Sequence, residues 1–412
     1  MINAPRGTRD ILPKQIPLWN YVIQICEQTA VSFSFSEIRV PTFEDVALFQ
    51  RSLGEGTDII DKELFLVRGR HTEGEQYALR PEGTAGIVRA YVQHGMRTLP
   101  QPVRLYSVLN LFRYERPQRG RYREHVQFDI EQFGSKDASA DAWVILTQWK
   151  TLMRLGICDV RLSLNSLGTT EEREVFKAQL VAYFRPLQEQ LGEDSKRRLD
   201  NNPLRILDSK DPRDQPHLVN APQLLDCLGS ESRNHLDSVC TYLTIWGIAY
   251  TINPLLVRGL DYYSQTCFEW SIPSKTGQSL ALGGGGRYDS LLPALDGPDS
   301  GAVGAGLGLD RLVDLLEERG WQEQTLKEPK LAIVEEGTNK EAAAALIPLL
   351  VNQNISLWTD FSRGSLGSQL KAAIKEGCTY ALFTSEQGLQ LKDLEKGTQR
   401  TIQLDEIKNA IT

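Results

Sequence analysis

LFRYERPQRGRYREHVQFDIEQF, residues 111–133, is the stretch from which the fold and the function are best predicted. Two apolar, strand-like runs flank five arginines, and Pro117 and Gly120 mark a turn between them. Arginine keeps its charge and binds phosphate oxygens through two parallel hydrogen bonds, so such a hairpin can hold phosphate. Taken alone, the segment also fits a basic surface hairpin that contacts RNA or no ligand at all.

The second strand of this hairpin carries an amide and a carboxylate, Gln127 and Glu131, four residues apart. Side chains alternate between the two faces of a strand, so both point to the same face. The hairpin is therefore predicted to combine a phosphate-binding turn with a polar surface that can recognise a second ligand.

The composition narrows the class of protein. At 412 residues, with 41% hydrophobic and 24% charged residues, the chain suits two or three globular domains. A net charge of −7 argues against nucleic-acid binding through bulk charge but permits a local basic groove. The cysteines and histidines show neither CxxC nor HxxxH spacing, so we expect no zinc site and no disulfides. Without a leader or a long apolar run, we expect a soluble, cytoplasmic protein that binds no membrane.

The order of strand and helix patterns predicts the domains. Strands separated by turns up to about residue 165, and again from 250, predict an α+β domain over 1–325 whose mostly antiparallel sheet is flanked by helices. A capping box, Thr169 with Glu172, opens a helical insertion at about 168–246. After a charged linker, alternating strands and helices predict a small α/β domain with parallel strands over 330–412.

Two further patches combine charges with groups that can hold a ligand. LRPEGT (79–84) places a carboxylate and a hydroxyl at a turn before a helix, where they could hold an ammonium group. An ordinary helix N-terminus with an acidic first turn explains them equally well. LVRGLDYY (256–263) joins a cation, a glycine and two phenols, which suits a reacting phosphate or carboxylate. A half-buried loop with an internal Arg–Asp pair is its alternative.

Two glycine-rich segments are less specific. Four glycines at 283–286, followed by Arg287-Tyr288-Asp289, let the backbone approach a ligand, but tight sheet turns use glycine too. GAGLGLDR (304–311) places an arginine at a helix start and matches neither the dinucleotide-binding nor the Walker A pattern. Arg311 either contacts phosphate or adenine or is a solvated helix residue. No Ser-His-Asp set is evident, so positioning and electrostatics are favoured over covalent catalysis.

Together these segments resemble the class II aminoacyl-tRNA synthetases, and among them the histidyl-tRNA synthetases. Residues 113–131 resemble motif 2, the segment ending LDRL (309–312) resembles motif 3, and the stretch around PTFE (41–44) is similar to motif 1. LVRGLDYY and GGRYDSL (285–291) resemble the two signature peptides of the histidine enzymes. RGTRDILP (6–13) and NPLRILDSKDP (202–212) also resemble peptides of that family. Domain 1–325 would then be catalytic, and 330–412 would bind the anticodon.

The resemblance implies a histidine–tRNA ligase, a homodimer that uses ATP with Mg²⁺ and no zinc. The carboxylate of L-histidine would attack the α-phosphate of ATP, and the adenylate would then pass histidine to the end of tRNA(His). Carried over by position, the implied catalytic residues are Arg113 and Arg258, and those for ATP are Arg113, Arg121 and Arg311. The implied histidine-binding residues are Glu82, Thr84, Gln127, Glu131, Arg258, Tyr262 and Tyr263. Arg116 and Gln118 would contact the tRNA acceptor end, and no protein-held metal is expected.

Within that implied pocket, Glu131 and Tyr263 would each bind one imidazole nitrogen. A site with buried polar partners rejects analogues that leave them unpaired, by as much as ~10⁴–10⁵. Three departures from the family pattern stand out: His125-Val126 where an aromatic and a histidine are expected, Asp310 where glutamate is usual, and Gln265 where a basic residue is common.

Two rival readings remain at the level of sequence. The regulatory subunit of ATP phosphoribosyltransferase resembles the synthetase core, but it typically lacks the anticodon domain and the LVRGLDYY peptide, and both are present here. A scaffold or RNA-binding protein on an inactive synthetase core is the other rival. The arginines and glutamates of the implied site are intact, which argues against it.

Overall fold

The structure is a computed structural model in which the chain divides into two compact units, Met1–Trp321 and Gln322–Thr412. It describes residues 2–54, 57, 59–69, 76–115, 121–207, 209–257, 262–273, 279–322, 330–335, 340–351, 355–359, 365–385 and 388–411. No helix in these ranges has the length and apolar character needed to span a membrane.

The first unit is built on an eight-stranded sheet. The strands of this unit are β1 (Ser36–Glu37), β2 (Phe43–Asp45), β3 (Leu66–Val67), β4 (Tyr77–Leu79), β5 (Val103–Phe112), β6 (Glu124–Phe133), β7 (Arg161–Ser166), β8 (Tyr250–Ile252), β9 (Ser264–Pro273), β10 (Ser279–Arg287) and β11 (Ala302–Gly308). The order in the large sheet is β1-β5-β6-β11-β10-β9-β7-β8, while β2, β4 and β3 form a small sheet. Only the edge pairs β1–β5 and β7–β8 of the large sheet are parallel, which confirms the predicted antiparallel architecture.

Helices cover this sheet. They are α1 (Ile16–Ser32), α2 (Val46–Leu53), α3 (Thr84–Gln93), α4 (Ala138–Arg154), α5 (Thr170–Phe184), α6 (Glu193–Asn201), α7 (Gln215–Leu218), α8 (Ser230–Ile245), α9 (Leu291–Ala294) and α10 (Leu309–Glu318). Phe128 and Ile130 on β6 are fully buried among apolar side chains of α1, α4, α8 and α10. Because side chains alternate along a strand, this packing turns the odd-numbered residues of β6 to the opposite face.

The helical segment 170–245 begins at the predicted capping box. The Thr169 hydroxyl accepts from the Glu172 amide at 3.2 Å, and the Glu172 carboxylate accepts from the Thr169 amide at 2.7 Å. Two of the helix's first amides are thus satisfied. The buried Phe176, Leu180 and Phe184 of α5 join the core on the odd-numbered face of β6.

The glycines at 283–286 lie inside β10 rather than at a turn. Gly285 pairs with Ala305 and Gly286 with Gly304 on β11. A Cβ at Gly285 would collide with the Gly304 carbonyl, so glycine is needed there for the close approach of two strands.

The second unit contains a five-stranded sheet, ordered β13-β12-β14-β15-β16. Its elements are β12 (Lys330–Ile333), α11 (Lys340–Val351), β13 (Ser356–Trp358), α12 (Leu366–Lys375), β14 (Tyr380–Ser385), β15 (Gly388–Asp393), β16 (Gln399–Thr401) and α13 (Ile407–Ile411). The strands β13, β12 and β14 are parallel, as the alternating pattern predicts. The antiparallel strands β15 and β16 were not predicted.

Candidate active site

A cavity of about 620 Å³ lies against the odd-numbered face of β6 and the adjoining ends of β10 and β11. Its lining includes most of the described residues that the sequence assigned to ATP and histidine, namely Glu82, Thr84, Arg113, Arg121, Gln127, Tyr262, Tyr263 and Arg311. The fold therefore brings together side chains from four separate segments of the chain. Arg116, Gln118 and Arg258 lie outside the described residues.

One end of the cavity is cationic. Arg113 is fixed by a 2.8 Å hydrogen bond from its Nε to the Pro81 carbonyl, and Arg121 pairs with Glu115 at 3.3 Å. Arg311 donates to the Ala281 carbonyl. Burial lowers the pKa of Arg311, and the nearby charges of Arg121 and Arg113 lower it further. Three guanidinium groups held this close favour a polyanionic ligand such as a triphosphate.

The other end of the cavity is acidic and begins at Glu82. Its two carboxylate oxygens accept from the amides of Thr84 and Ala85 at 2.8 and 2.9 Å, at the first turn of α3. Glu82 therefore satisfies two amides at the start of α3, but the N-cap residue is Gly83 and the first turn contains no acidic residue, so the alternative of an ordinary N-terminus with an acidic first turn is wrong. Glu82 also lines the cavity and lies 3.4 Å from the Tyr262 hydroxyl. Burial raises the pKa of Glu82, although these amide bonds oppose the effect.

Glu131 is buried beside this acidic end. One carboxylate oxygen accepts from the Thr84 hydroxyl at 2.7 Å, and the other accepts from the Tyr288 hydroxyl. Burial raises the pKa of Glu131 well above its usual range, and the charge of Asp129 adds to this. Glu131 is not among the described residues that line the cavity, so it lies one layer behind Thr84.

Three tyrosines surround the acidic end. The ring centroids of Tyr262 and Tyr263 lie 4.7 Å apart, and Tyr288 meets them edge-on at 5.7 and 6.4 Å. Tyr288 was not assigned to the site from the sequence, although GGRYDSL contains it. Its partner is remote in the chain, so no local pattern could have identified the contact with Glu131.

Asp129 was also missed, although strand alternation places it between Gln127 and Glu131 on the same face of β6. Its Oδ1 accepts from the Gln127 amide nitrogen at 2.6 Å. Its Oδ2 is buried and has no hydrogen-bond partner among the described residues. The odd-numbered face of β6 thus carries an amide followed by two carboxylates.

The departure at His125-Val126 leaves the register of β6 intact. The Val126 amide donates to Asp310 at 2.7 Å, so the shorter acid of motif 3 still reaches the strand. Arg9, from RGTRDILP, binds the other oxygen of Asp310 at 2.8 Å and stacks over Tyr122 at 4.3 Å. His125 lines the cavity, where burial and then the charges of Arg113 and Arg311 lower its pKa to about 3. Its imidazole is therefore neutral at physiological pH.

The third departure, Gln265, lies at the start of β9. Its side-chain amide donates to the Ser232 hydroxyl of α8 at 2.9 Å. The residue therefore joins the helical segment to the sheet.

No group of three or more histidine, cysteine, aspartate or glutamate residues within the described ranges has the geometry to hold a metal ion.

Glycines on β11 leave the space that the polar side chains of β6 occupy, so a larger residue at such a glycine should be destabilising. A Cβ at Gly304 would overlap the Glu131 carboxylate, whereas one at Gly308 would meet nothing closer than 3.6 Å. Gly304→Ala should lower the free energy of unfolding by about 1–3 kcal/mol, because overpacking would displace Glu131 from Thr84 and Tyr288. Chemical denaturation measures the loss. Gly308→Ala, on the same strand, is the control and should leave stability within about 1 kcal/mol of the parent; equal losses in both would contradict the argument.

Comparisons with known proteins agree with this geometry. Residues 7–312 match the family model described as histidyl-tRNA synthetase. The histidine–tRNA ligase of Thermosynechococcus vestitus is 42% identical, over 98% of this chain and 95% of its own length. The crystal structure of apo S. aureus histidyl-tRNA synthetase superposes with a TM-score of 0.82, 32% identity and full coverage of both chains. An ATP phosphoribosyltransferase regulatory subunit/histidyl-tRNA synthetase from Bacillus halodurans shares the fold with a TM-score of 0.65 and 20% identity, over 93% of this chain and 98% of its own.

Proposed function

The chain belongs to the histidyl-tRNA synthetase family, and from this premise we propose that it attaches L-histidine to tRNA(His) at the expense of ATP. The observation that carries the proposal is one cavity with an arginine end and a carboxylate end. A reaction between an amino acid and a triphosphate needs both ends side by side. Neither end alone distinguishes this reaction from phosphate binding or amine binding.

ATP binds at the arginine end, with Mg²⁺ as part of the substrate. Arg113 holds the α-phosphate, while Arg121 and Arg311 hold the outer phosphates. The lining of the cavity, to which all three residues contribute, supports their assignment to the phosphates, and the division among them follows from the family resemblance. Because Arg113 is anchored on the Pro81 carbonyl, it needs little reorganisation as charge develops on the α-phosphate.

Histidine binds at the acidic end. Glu82, Thr84 and Gln127 hold the α-ammonium, and Tyr262 closes over Glu82. Glu131 and Tyr263 each bind one nitrogen of the imidazole. The hydroxyls of Thr84 and Tyr288 donate to Glu131 and fix its carboxylate beside the proposed histidine subsite.

The first step joins the two substrates. A carboxylate oxygen of histidine attacks the α-phosphorus, the bond to the β-phosphate oxygen breaks, and pyrophosphate leaves with the released electron pair. Arg258, outside the described residues, bridges the histidine carboxylate and the α-phosphate. Bringing the two anions together in line is an effect of positioning, which can contribute several kcal/mol to the barrier.

In the second step, a hydroxyl of the terminal tRNA adenosine attacks the activated carbonyl, and AMP leaves. Arg116 and Gln118, also outside the described residues, contact the acceptor end of the tRNA. Residues 330–412 contain nine basic and ten acidic residues, so their contact with the anticodon is local. The catalytic domain extends over 1–325 and the anticodon-binding domain over 330–412.

The enzyme acts as a cytoplasmic homodimer. Support for association comes from the exposed edge of the small sheet: β2 is an edge strand, and Phe43 on it is 51% exposed. Leu66 on the opposite edge strand, β3, is 61% exposed, and a sheet edge is a template on which another chain can pair. The six cysteines are all free thiols, which suits a reducing compartment.

The test is ATP–pyrophosphate exchange, with and without histidine, followed by charging of tRNA(His). We expect exchange that depends on histidine and on Mg²⁺, and transfer of labelled histidine to the tRNA. Other amino acids serve as controls. Normal ATP binding without histidine-dependent exchange would reject the proposal and favour an inactive paralogue such as the regulatory subunit of ATP phosphoribosyltransferase.

A further inference from the structure

The odd-numbered face of β6 contains one buried acid that the proposed reaction leaves without a role. Asp129 is 2% exposed, and it lies between Gln127 and Glu131 along the strand. One of its oxygens accepts from the Gln127 amide nitrogen at 2.6 Å, and the other has no hydrogen-bond partner among the described residues. A buried ionised carboxylate with an unpartnered oxygen is costly to maintain, and the charges of Arg80 and Arg113 offset that cost only in part, so a further cation would stabilise it.

Glycines on both sides leave the space that this carboxylate occupies. A Cβ at Gly83 would collide with Oδ2 of Asp129, and a Cβ at Gly306 would lie 2.6 Å from Oδ1. Gly83 belongs to the turn between Glu82 and Thr84, where the proposed α-ammonium subsite lies. The free oxygen of Asp129 is therefore held against that turn.

An ionised carboxylate accepts hydrogen bonds but cannot donate them. Asp129 in this form can therefore accept only from the NH₂ group of the Gln127 amide, which is the orientation of the hydrogen bond between them. The amide oxygen of Gln127 is then on the other side of the group, and Gln127 lines the cavity. If Asp129 were protonated or replaced by an amide, it could donate, and the Gln127 amide would be free to reverse.

We propose that Asp129 is a positioning residue of the amino-acid subsite: its carboxylate turns the amide oxygen of Gln127 toward the α-ammonium of histidine and places a negative charge behind it. This inference rests on the proposed function. Asp129 is not among the described residues that line the cavity, so it acts through Gln127 and through its charge rather than by touching the substrate.

The surroundings of Asp129 make this charge sensitive to pH. Burial and, to a lesser extent, the charge of Glu82 raise the pKa of the Asp129 carboxyl to about 7, against the opposing effects of the bond from Gln127 and the charges of Arg80 and Arg113. Glu131, on the same strand, is coupled to it, so an observed transition belongs to the cluster rather than to one group. The bound ammonium favours the ionised form, so affinity for histidine should rise as the pH increases through about 7.

The experiment compares two ligands that differ only in the α-ammonium, namely L-histidine and its deaminated analogue 3-(imidazol-4-yl)propionate. Their Kd values are measured by calorimetry without ATP, for the parent and for Asp129→Asn. At a pH one unit above the transition, the variant should bind histidine about 10- to 100-fold more weakly, as expected for loss of a charged hydrogen-bonding partner. Its Kd for the deaminated analogue should be unchanged.

The exposed carboxylate Asp299, which pairs with Lys136, supplies the matched control, Asp299→Asn. An equal loss for both ligands in Asp129→Asn would indicate a merely structural role and overturn the proposal, as would no loss for either. A second measurement needs no variant: in the parent protein, the ratio of the two Kd values should favour histidine increasingly as pH rises through the transition. A constant ratio would also overturn the proposal.

The α-ammonium lowers the pKa of the neighbouring imidazole in histidine, so the imidazole of each free ligand is titrated separately and each Kd is corrected for it before the ratio is taken. Histidine-dependent exchange by the parent protein tests the proposed function separately. If exchange occurs and the ratio of the two Kd values does not change with pH, only the proposed role of Asp129 is rejected. If histidine neither binds nor stimulates exchange, the proposed function itself fails.

Discussion

Replacing Arg113 with alanine should slow histidine-dependent ATP–pyrophosphate exchange by about 10²- to 10³-fold, the cost typical of removing one preorganised donor from a site of developing charge. Arg113 lines the cavity and is oriented by its bond to the Pro81 carbonyl, at the residue before Glu82. It is therefore attached to the turn that begins the histidine subsite. The α-phosphate and the attacking carboxylate would be aligned by one short segment of the chain.

The effect should fall on kcat rather than on histidine binding. The Kd for histidine, measured without ATP and at a pH well above 7 so that Asp129 stays ionised without the charge of Arg113, should change little, because the acidic end of the cavity keeps its side chains. Arg113→Lys should recover only a small part of the rate, since an ammonium group provides neither the fork geometry nor the Nε contact with Pro81. A variant in which only KM for ATP rises would instead assign Arg113 to ground-state binding.

Arg104 provides the matched control, because it lies near the other end of β5. Its Nε donates to Gln132 at 2.7 Å, and its guanidinium stacks over Trp143 of α4 at 5.2 Å. These contacts are on the helix-covered face of the sheet. Arg104→Ala should therefore leave the exchange rate close to that of the parent, although stability can fall through lost packing.

Local sequence patterns predicted the strands well because each pattern acts over a few residues. The alternation of polar and apolar residues in β6 placed Gln127 and Glu131 on one face, and Thr169 with Glu172 marked the start of α5. Strand order could not be predicted in this way. The position of β11 between β6 and β10 depends on contacts between segments about 170 residues apart in the chain.

The same limit explains the site residues that were missed. Tyr288 belongs to the site through its bond with Glu131, and Arg9 supports it through Asp310. Both contacts join remote segments. Asp129 is different, because the alternation that selected Gln127 and Glu131 also selects the residue between them.

Arg287→Met should lower the free energy of unfolding by about 3–5 kcal/mol, the usual cost of breaking one side of a buried ion pair. Arg287 follows the glycines of β10 and is 1% exposed. It binds both oxygens of Asp141 on α4, and it also donates to the Ser135 carbonyl at 2.9 Å and to Asp289 at 3.1 Å. These contacts belong to the core that supports the strands of the site. We therefore expect a loss of stability and no specific effect on substrate binding.

The cost arises mainly from the carboxylate that remains. Burial alone would raise the pKa of Asp141, but the charge of Arg287 and the bonds from His235 and Arg287 outweigh it and hold that pKa below its ordinary value. A lowered pKa stabilises the native state above the unfolded-state value of about 3.9, and this contribution is lost as the pH falls through the native value. Without Arg287 the pKa of Asp141 should rise, so the stability difference between parent and variant should narrow in acid.

Denaturation of two further variants separates the charge from the packing. Arg287→Met combined with Asp141→Leu removes both charges and should recover most of the lost stability, because a buried pair replaced by apolar groups is often neutral. Arg319→Met breaks the exposed pair with Asp159, whose side chains are 35% and 53% exposed, and should cost no more than about 1 kcal/mol. If the double variant were as unstable as Arg287→Met, the loss would come from the missing bonds to the carbonyls and to Asp289. The stranded charge of Asp141 would then not be its cause.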